Sequence, residues 1–189
     1  MKTSKQRIAF LIAGLFLVTI SGFAQEEESS YQMAEIMYML PKIGHEADFV
    51  NGVKEHNQAY HTTAPYTAHL DRIVTGRDAG WHVWIMAPCT LSDLDGRPND
   101  EAHGKDWDAR VAPHVARYGR TEYWTHNDKL SLKTSEGTPA IEEIWFVDVE
   151  DNKGAVINKV LEKVKDAFER KGNANYHVYN NRFNAGDGR

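Results

Sequence analysis

The chain repeats its own pattern of apolar residues without a gap when it is shifted by 108 positions, from Glu35 to Glu143. Three successive segments match in order at this offset, and His69 aligns with His177. A fixed offset with a conserved order of segments is typical of a duplicated folding unit. We therefore predict two related units. The second is expected to be incomplete, as in a fragment of a longer protein, because the chain reaches Arg189 about halfway through it.

The first 24 residues have the pattern of a secretory signal peptide. Basic residues, ending with Arg7, precede an apolar run over residues 8–20, and small residues follow it. A helix needs about 20 apolar residues to cross a bilayer core of about 30 Å, and this run is shorter. We expect a periplasmic or secreted protein without a stable membrane anchor. Residues 25–30 are predicted to be a flexible lead-in.

Charge and cysteine content exclude two classes of protein. The formal net charge is −5 at pH 7, and it falls to about −8 once the three basic residues of the signal are removed. Such a surface repels phosphate backbones, so we expect no nucleic-acid partner. Because Cys89 is the single cysteine, no internal disulfide can form, and stability must come from a packed core.

The apolar periodicity predicts a strand, helix, strand, strand, helix, strand order in the first unit, residues 31–130. The expected elements are strands at 31–40, 67–75, 81–88 and 120–126 and helices at 46–61 and 101–118, with a polar loop at 92–100. Pro113 is expected to bend the second helix or restart it. This order predicts an α+β, ferredoxin-like unit with both helices on one face of the sheet.

A polar linker at 131–139 separates the first unit from the second, residues 140–189. The second unit is expected to begin with a strand over residues 141–150. A helix follows, with an apolar stripe from Val156 to Phe168; Asp151 or Asn152 can cap its start and Gly172 its end. A strand over residues 176–183 would follow as the last element of the second unit within this sequence.

The first strand of each unit is apolar on both faces, so the sheet face opposite the helices needs a cover. In this interpretation Met37 and Met39 of the first unit and Trp145 of the second point away from the helices. Two such sheets packed face to face would close into a lined barrel. The arrangement resembles the dimeric α+β barrel superfamily, which includes antibiotic-synthesis monooxygenases, stress-responsive barrel proteins and NIPSNAP-like proteins. The resemblance implies an interior that binds a small molecule, closed by pairing of the two repeats or by a homodimer.

Several side chains are candidates for contact with that molecule. Glu35 and Glu143 occupy equivalent positions and would point into the barrel, either as a general acid and base or as solvated or ion-paired carboxylates. His82, Trp84 and Met86 share one strand face, which suits a flat aromatic ligand or fills the interior. The predicted ligand-binding set is Glu35, Met37, His69, His82, Trp84, Met86, Glu143, Trp145 and His177.

No sequence motif identifies a metal or a catalytic centre. The repeat partners His69 and His177 could be metal or cofactor ligands or structural residues, and the other histidines have no metal-binding spacing. Cys89 is interpreted as a buried filler or a reactive thiol. We expect an exported barrel that binds a small apolar or aromatic molecule, in a stress-related or ligand-sequestering role. The alternative is a monooxygenase-like or haem-linked oxidoreductase acting on an aromatic substrate.

Overall fold

The computed structural model describes residues 31–133, 140–172 and 175–185 of the chain. The predicted signal peptide, the lead-in and most of the predicted linker lie outside these residues. None of the described helices combines the length and the apolar character that are needed to span a bilayer.

The described elements follow the predicted order through the first unit. They are β1 Met33–Pro41, α1 Glu46–Tyr60, β2 Ala68–Arg72, β3 His82–Cys89, α2 Leu91–Asp95, α3 Glu101–Arg110, β4 Val115–His126, β5 Leu132–Lys133, α4 Gly154–Lys171, β6 Asn175–Tyr176 and β7 Tyr179–Ala185. The main sheet is antiparallel, with the strand order β2-β3-β1-β4-β7. Its first four strands have the ferredoxin-like order, so the predicted α+β fold is confirmed.

The core lies between the sheet and the helix α1. Met33 and Met39 of β1 pack in one cluster with Phe49 and Val53 of α1, and these four side chains are at most 1% exposed. The stripe of β1 that contains Met37 and Met39 therefore faces the helices. The prediction that it faces a barrel interior is wrong, because an alternating pattern with two apolar faces does not reveal which face the helices cover.

The opposite side of the sheet, which we call the uncovered face, carries the alternate residues of the same strands. Ile36 of β1 lies between Ile85 of β3 and Glu122 of β4 in the strand register. Tyr38 and Val83 belong to this face and are buried as well. The sheet therefore has two distinct sides, one closed by α1 and one without a helix from the first unit.

The second predicted helix is shorter than expected. It ends at Arg110, a 3-10 turn Ala112–His114 follows, and residues 115–118 already belong to β4. Pro113 has no amide hydrogen for a helical bond, so the helix stops before it, and Val111 and Val115 are buried on either side. The short helix α2 lies in the predicted loop at 92–100, and a capping box between Thr90 and Asp93 stabilises its first turn.

The described residues do not form the predicted second ferredoxin-like sheet, and the second sheet that they contain is the pair of short strands β5 and β6. Residues 141–150 have no regular secondary structure and are exposed, with Trp145 75% accessible, so the predicted strand is wrong. A strand needs a neighbour for its backbone hydrogen bonds. The strand β7 does not pair with residues 141–150 and lies beside β4 of the main sheet instead. The tandem repeat is therefore not shown, and the division of the chain at residues 131–140 stays a prediction.

The third predicted helix is confirmed as α4. Gly172 ends it with a φ of 68°, the left-handed conformation that glycine adopts without strain. The residue before its first turn is Lys153, which makes no side-chain cap, so capping by Asp151 or Asn152 is wrong.

Gly52 allows α1 and α3 to approach each other closely. A Cβ atom there would overlap the carbonyl oxygen of Arg110 and lie 2.9 Å from its carbonyl carbon. A backbone atom cannot swing away as a side chain can, so a larger residue would push the two helices apart.

We expect Gly52→Ala to lower the free energy of unfolding by about 1–3 kcal/mol through this overlap. The matched control is Gly104→Ala in α3, where an added Cβ meets no atom within 4 Å. It should raise stability by about 0.5–1 kcal/mol, because alanine favours a helix over glycine. Urea unfolding, with EDTA present to remove any metal ions, measures the free energy of unfolding of both variants. Equal changes in the two variants would contradict the close approach.

Candidate functional site

The predicted aromatic face of β3 lies under α1. His82 packs edge-on against Phe49 with ring centroids 5.3 Å apart, and Met86 has no exposed surface. The Trp84 indole nitrogen donates to the Asn57 side-chain oxygen at 2.9 Å. These side chains do not line the uncovered face, so their predicted orientation is wrong. Their predicted part in ligand binding stays a prediction.

The two predicted carboxylates differ in burial and in their hydrogen-bond partners. Glu35 is buried on the helix side, where Arg97 donates to both of its oxygens at 2.9 and 3.0 Å and the Tyr123 hydroxyl donates at 3.1 Å. Burial and this carboxylate raise the pKa of Tyr123. Glu143 is exposed and accepts a hydrogen bond from the Trp145 indole at 2.6 Å. The ion-paired interpretation of Glu35 therefore holds, and the expectation that Glu35 and Glu143 both point into a barrel is wrong.

The predicted histidine pair has separate partners. His69 lies 3.5 Å from Asp71, and the hydrogen bond that its ring donates to this carboxylate raises the pKa of the ring. His177 contacts His126 at 3.2 Å between ring nitrogens. Met37 is half-buried against the core. The structure thus brings five predicted residues together on the helix side of the sheet, Glu35, Met37, His82, Trp84 and Met86, and places the other four elsewhere, His69, Glu143, Trp145 and His177.

Three other histidines converge between α1 and α3. The Nε2 atom of His103 lies 3.1 Å from Nε2 of His56 and 3.2 Å from Nε2 of His61. The ligand atoms of all three rings lie within 4.8 Å of one another. We call His56, His61 and His103 the histidine centre.

The helices place these rings for local reasons. His56 follows Val53 by three residues on the buried side of α1, and it has no exposed surface. His61 is the residue at which α1 ends, with its amide bonded to the Asn57 carbonyl. His103 lies in the first turn of α3, where the Asp100 side chain accepts from its amide at 2.8 Å.

Hydrogen bonds at the outer ring nitrogens orient the inner ones. Nδ1 of His61 lies 3.0 Å from the Tyr66 carbonyl oxygen, which can only accept, so this nitrogen carries the hydrogen and Nε2 has a lone pair. Nδ1 of His56 donates in the same way to the Asp106 carboxylate at 2.8 Å. Carboxylate and carbonyl partners of this kind orient the histidine ligands of metal sites.

Burial favours the neutral form of His61 and His103. It lowers the pKa of His61 to about 4, and together with the neighbouring His56 it lowers the pKa of His103. Although burial acts to raise the pKa of Asp106, hydrogen bonds from His56 and Arg110 lower it below its ordinary value. Neutral imidazoles beside an ionised carboxylate are the protonation states that bind a cation.

The spacing of the centre matches tetrahedral coordination. Zinc–nitrogen bonds of about 2.0–2.1 Å at tetrahedral angles separate neighbouring nitrogens by about 3.3–3.4 Å, close to the observed 3.1 and 3.2 Å. Aromatic rings surround the site, with Trp107 centred 5.0 Å from His56 and Tyr60 centred 5.0 Å from His103. Three protein ligands would leave a fourth position for water or another ligand.

Sequence reasoning missed this centre because no linear spacing marks it. His56 and His61 are five residues apart across the end of a helix, and His103 follows 42 residues later. The one available signal was the position of His56 on the apolar stripe of α1, which indicates a buried imidazole in need of a polar partner.

A second polar cluster lies on the uncovered face. Glu122 has no exposed surface, and it accepts hydrogen bonds from the Arg120 guanidinium at 2.6 Å and the Trp124 indole at 3.0 Å. Arg120 also donates to Asp78 at 3.0 Å and lies over the Tyr38 ring, 3.6 Å from its centroid. Burial and the Glu122 charge raise the pKa of Tyr38 to about 12. We call these five residues the Glu122 cluster.

Comparisons with known proteins yield a match to a solved structure. No protein-family model matches the chain, and no curated protein does. A crystal structure of a Bordetella bronchiseptica protein assigned as an antibiotic biosynthesis monooxygenase matches with 18% identity and a TM-score of 0.41, over 49% of this chain and 94% of that one. A match at this level assigns neither a family nor a chemistry to this chain.

The single cysteine is part of the core. Cys89 is 3% exposed, with Sγ 3.4 Å from the Met33 carbonyl oxygen. Burial, with the Glu35 charge, raises the pKa of its thiol from 9.0 to about 11. The interpretation as a buried filler agrees with this environment.

We expect Cys89 to react with a thiol reagent at pH 8 about 100-fold more slowly in the folded protein than in urea, because two pKa units lower the thiolate fraction by that factor. A raised thiol pKa stabilises the fold below pH 9, and this stabilisation is lost as the pH rises towards 11. Cys89→Ala should flatten that loss in unfolding experiments. Equal reactivity in the two states would contradict the buried thiol.

Proposed function

We propose that this protein binds a divalent transition-metal ion, of the class of Zn²⁺, at the histidine centre. The observation that carries the proposal is the convergence of three Nε2 atoms at 3.1 and 3.2 Å while the outer nitrogens of His56 and His61 are committed to other partners. Neutral imidazole is a good ligand for Zn²⁺, Cu²⁺ and Ni²⁺ and a poor one for Mg²⁺ and Ca²⁺, which prefer oxygen.

Hydrogen bonding alone does not satisfy the centre. His56 and His61 each direct an Nε2 lone pair at His103, which has at most one hydrogen on its own Nε2. One of the two lone pairs is therefore left without a donor, and a buried polar atom in that state costs free energy. A single cation would accept all three lone pairs.

The ion would also stabilise the position of α3. No side chain of this helix is fully buried, and polar contacts such as the ion pair of Arg110 with Glu55 and the hydrogen bond from His56 to Asp106 hold it against α1. Because ligands from both helices meet at the centre, metal binding would link them and shift the folding equilibrium towards the native state.

We expect the full chain to bind one equivalent of Co²⁺ or Zn²⁺ tightly, with tetrahedral visible absorption for Co²⁺ and a raised melting temperature. His103→Ala should remove both signals because it deletes a ligand. The variant should still fold, because His103 is only half-buried. The control is His69→Ala, which deletes a histidine outside the centre. Unchanged titrations of His103→Ala would refute the proposed site.

The same titration tests the orienting carboxylate. Asp106→Asn keeps all three ligands but weakens the acceptor at His56, so the affinity should fall by about 10–100-fold. The neighbouring exposed residue supplies the control, since Asp108→Asn changes the same charge without contact to a ligand ring. An equal effect of the two substitutions would mean that charge alone matters.

A second candidate function is the one that the sequence predicts, binding of a small apolar or aromatic molecule by an exported protein. The specific observation in its favour is the Glu122 cluster, a buried ion pair among Tyr38 and Trp124 on the uncovered face. The protein would sequester the molecule there or, in the alternative form, oxidise it as a monooxygenase-like or haem-linked enzyme. Export rests on residues 1–24.

Haem and simple quinols are suitable probes of this second function. If the uncovered face binds them, they should quench tryptophan fluorescence, and Trp124→Ala should weaken binding at least about tenfold because stacking is lost. Trp107→Ala, at an indole on the helix side of the sheet, is the matched control. Oxygen consumption with the quinol would favour the oxidoreductase, and its absence with binding intact would favour sequestration. If neither probe binds, this second function is contradicted.

A further inference from the structure

A second group of metal-ligating side chains lies at the other end of α1. Nδ1 of His45 is 3.2 Å from Nδ1 of His114 and 3.9 Å from a carboxylate oxygen of Asp48. The ligand atoms of all three residues lie within 4.8 Å of one another. Among the described residues, this group and the histidine centre are the two places where three such ligands meet.

Two turns of the backbone bring these residues together. His45 precedes α1 and Asp48 lies in its first turn, while His114 belongs to the 3-10 turn before β4. The Lys42 amide donates to the His114 carbonyl at 2.8 Å, and its ammonium group donates to the Pro113 carbonyl at 2.6 Å. The segments that carry the two rings are therefore held together by hydrogen bonds that do not involve the imidazoles.

The distance between the rings suits a shared cation. The 3.2 Å between the two Nδ1 atoms is close to the separation of about 3.3–3.4 Å between nitrogens on one tetrahedral zinc ion. The carboxylate of Asp48 lies on the same side and can move, because it is 64% exposed. An imidazole pair with a nearby carboxylate supplies three ligands that Zn²⁺ accepts.

We infer that His45, Asp48 and His114 form a second, solvent-accessible site for a divalent transition-metal ion, in which water completes the coordination. The site is independent of the histidine centre, since the two groups share no residue. Its affinity is lower, because binding must order exposed side chains, which costs conformational entropy, and because water competes for the ion.

Another pair of histidines, at a similar distance from each other, supplies the matched comparison. His126 and His177 are also 3.2 Å apart, but the other ring nitrogen of His126 is bonded to Asp128 at 2.6 Å. No third metal-ligating atom joins this pair among the described residues. Two imidazoles without a third ligand are expected to bind Zn²⁺ much more weakly.

The test is a zinc titration of the full chain by calorimetry, with circular dichroism to verify folding. Wild type should bind two equivalents, and His114→Ala should lose the weaker one while keeping the tighter one. His103→Ala should show the reverse, so failure of the proposed histidine centre is distinguishable from failure of this site. Asp48→Asn should weaken the weaker equivalent at least about tenfold, and His126→Ala should leave both equivalents in place.

Four results would overturn the inference. The first is a weaker equivalent that survives in His114→Ala, and the second is its loss in His126→Ala. The third is binding of half an equivalent per chain with a doubled molecular mass in solution, which would mean that zinc bridges two molecules through exposed histidines. A wild type without any equivalent that responds to His114→Ala is equally contrary to it.

Discussion

The packing of α1 on the sheet is the contact on which the rest of the structure depends. Phe49 and Val53 fill the space above Met33 and Met39, and this burial fixes both the height and the rotation of the helix. Gly52 then admits the C-terminal end of α3 to the same helix. Every feature of the candidate metal sites follows from this placement.

The position of α1 determines which histidines can meet. His56 is carried inward with Val53, and the end of the helix brings His61 to the first turn of α3, where His103 lies. The other end of α1 brings His45 to the turn before β4. A helix of 15 residues is about 22 Å long, so the two groups lie well beyond contact distance and can be tested separately.

Burial has opposite consequences on the two sides of the sheet. Under α1 it keeps imidazoles neutral, and it lowers the pKa of His61 to about 4, which favours metal ligation over protonation. On the uncovered face it encloses charged groups, and Glu122 is retained there because Arg120 and Trp124 donate to it. The two proposed functions thus rest on separate surfaces of one sheet, and neither requires the other.

Apart from the short helix α2 and the early end of α3, the sequence by itself determined the element types and their order through β4, because apolar periods of about 3.6 and 2 residues, together with glycine and proline, depend on local backbone geometry. It also determined the end of α4 at Gly172. Only the tertiary structure decided which face of β1 the helices cover, since both faces are apolar and an alternating pattern does not show which of them a helix covers. It also decided that residues 141–150 pair with no strand among the described residues, and that His56, His61 and His103 meet. Contacts between residues more than 40 positions apart depend on how helices pack, and no local pattern records that packing.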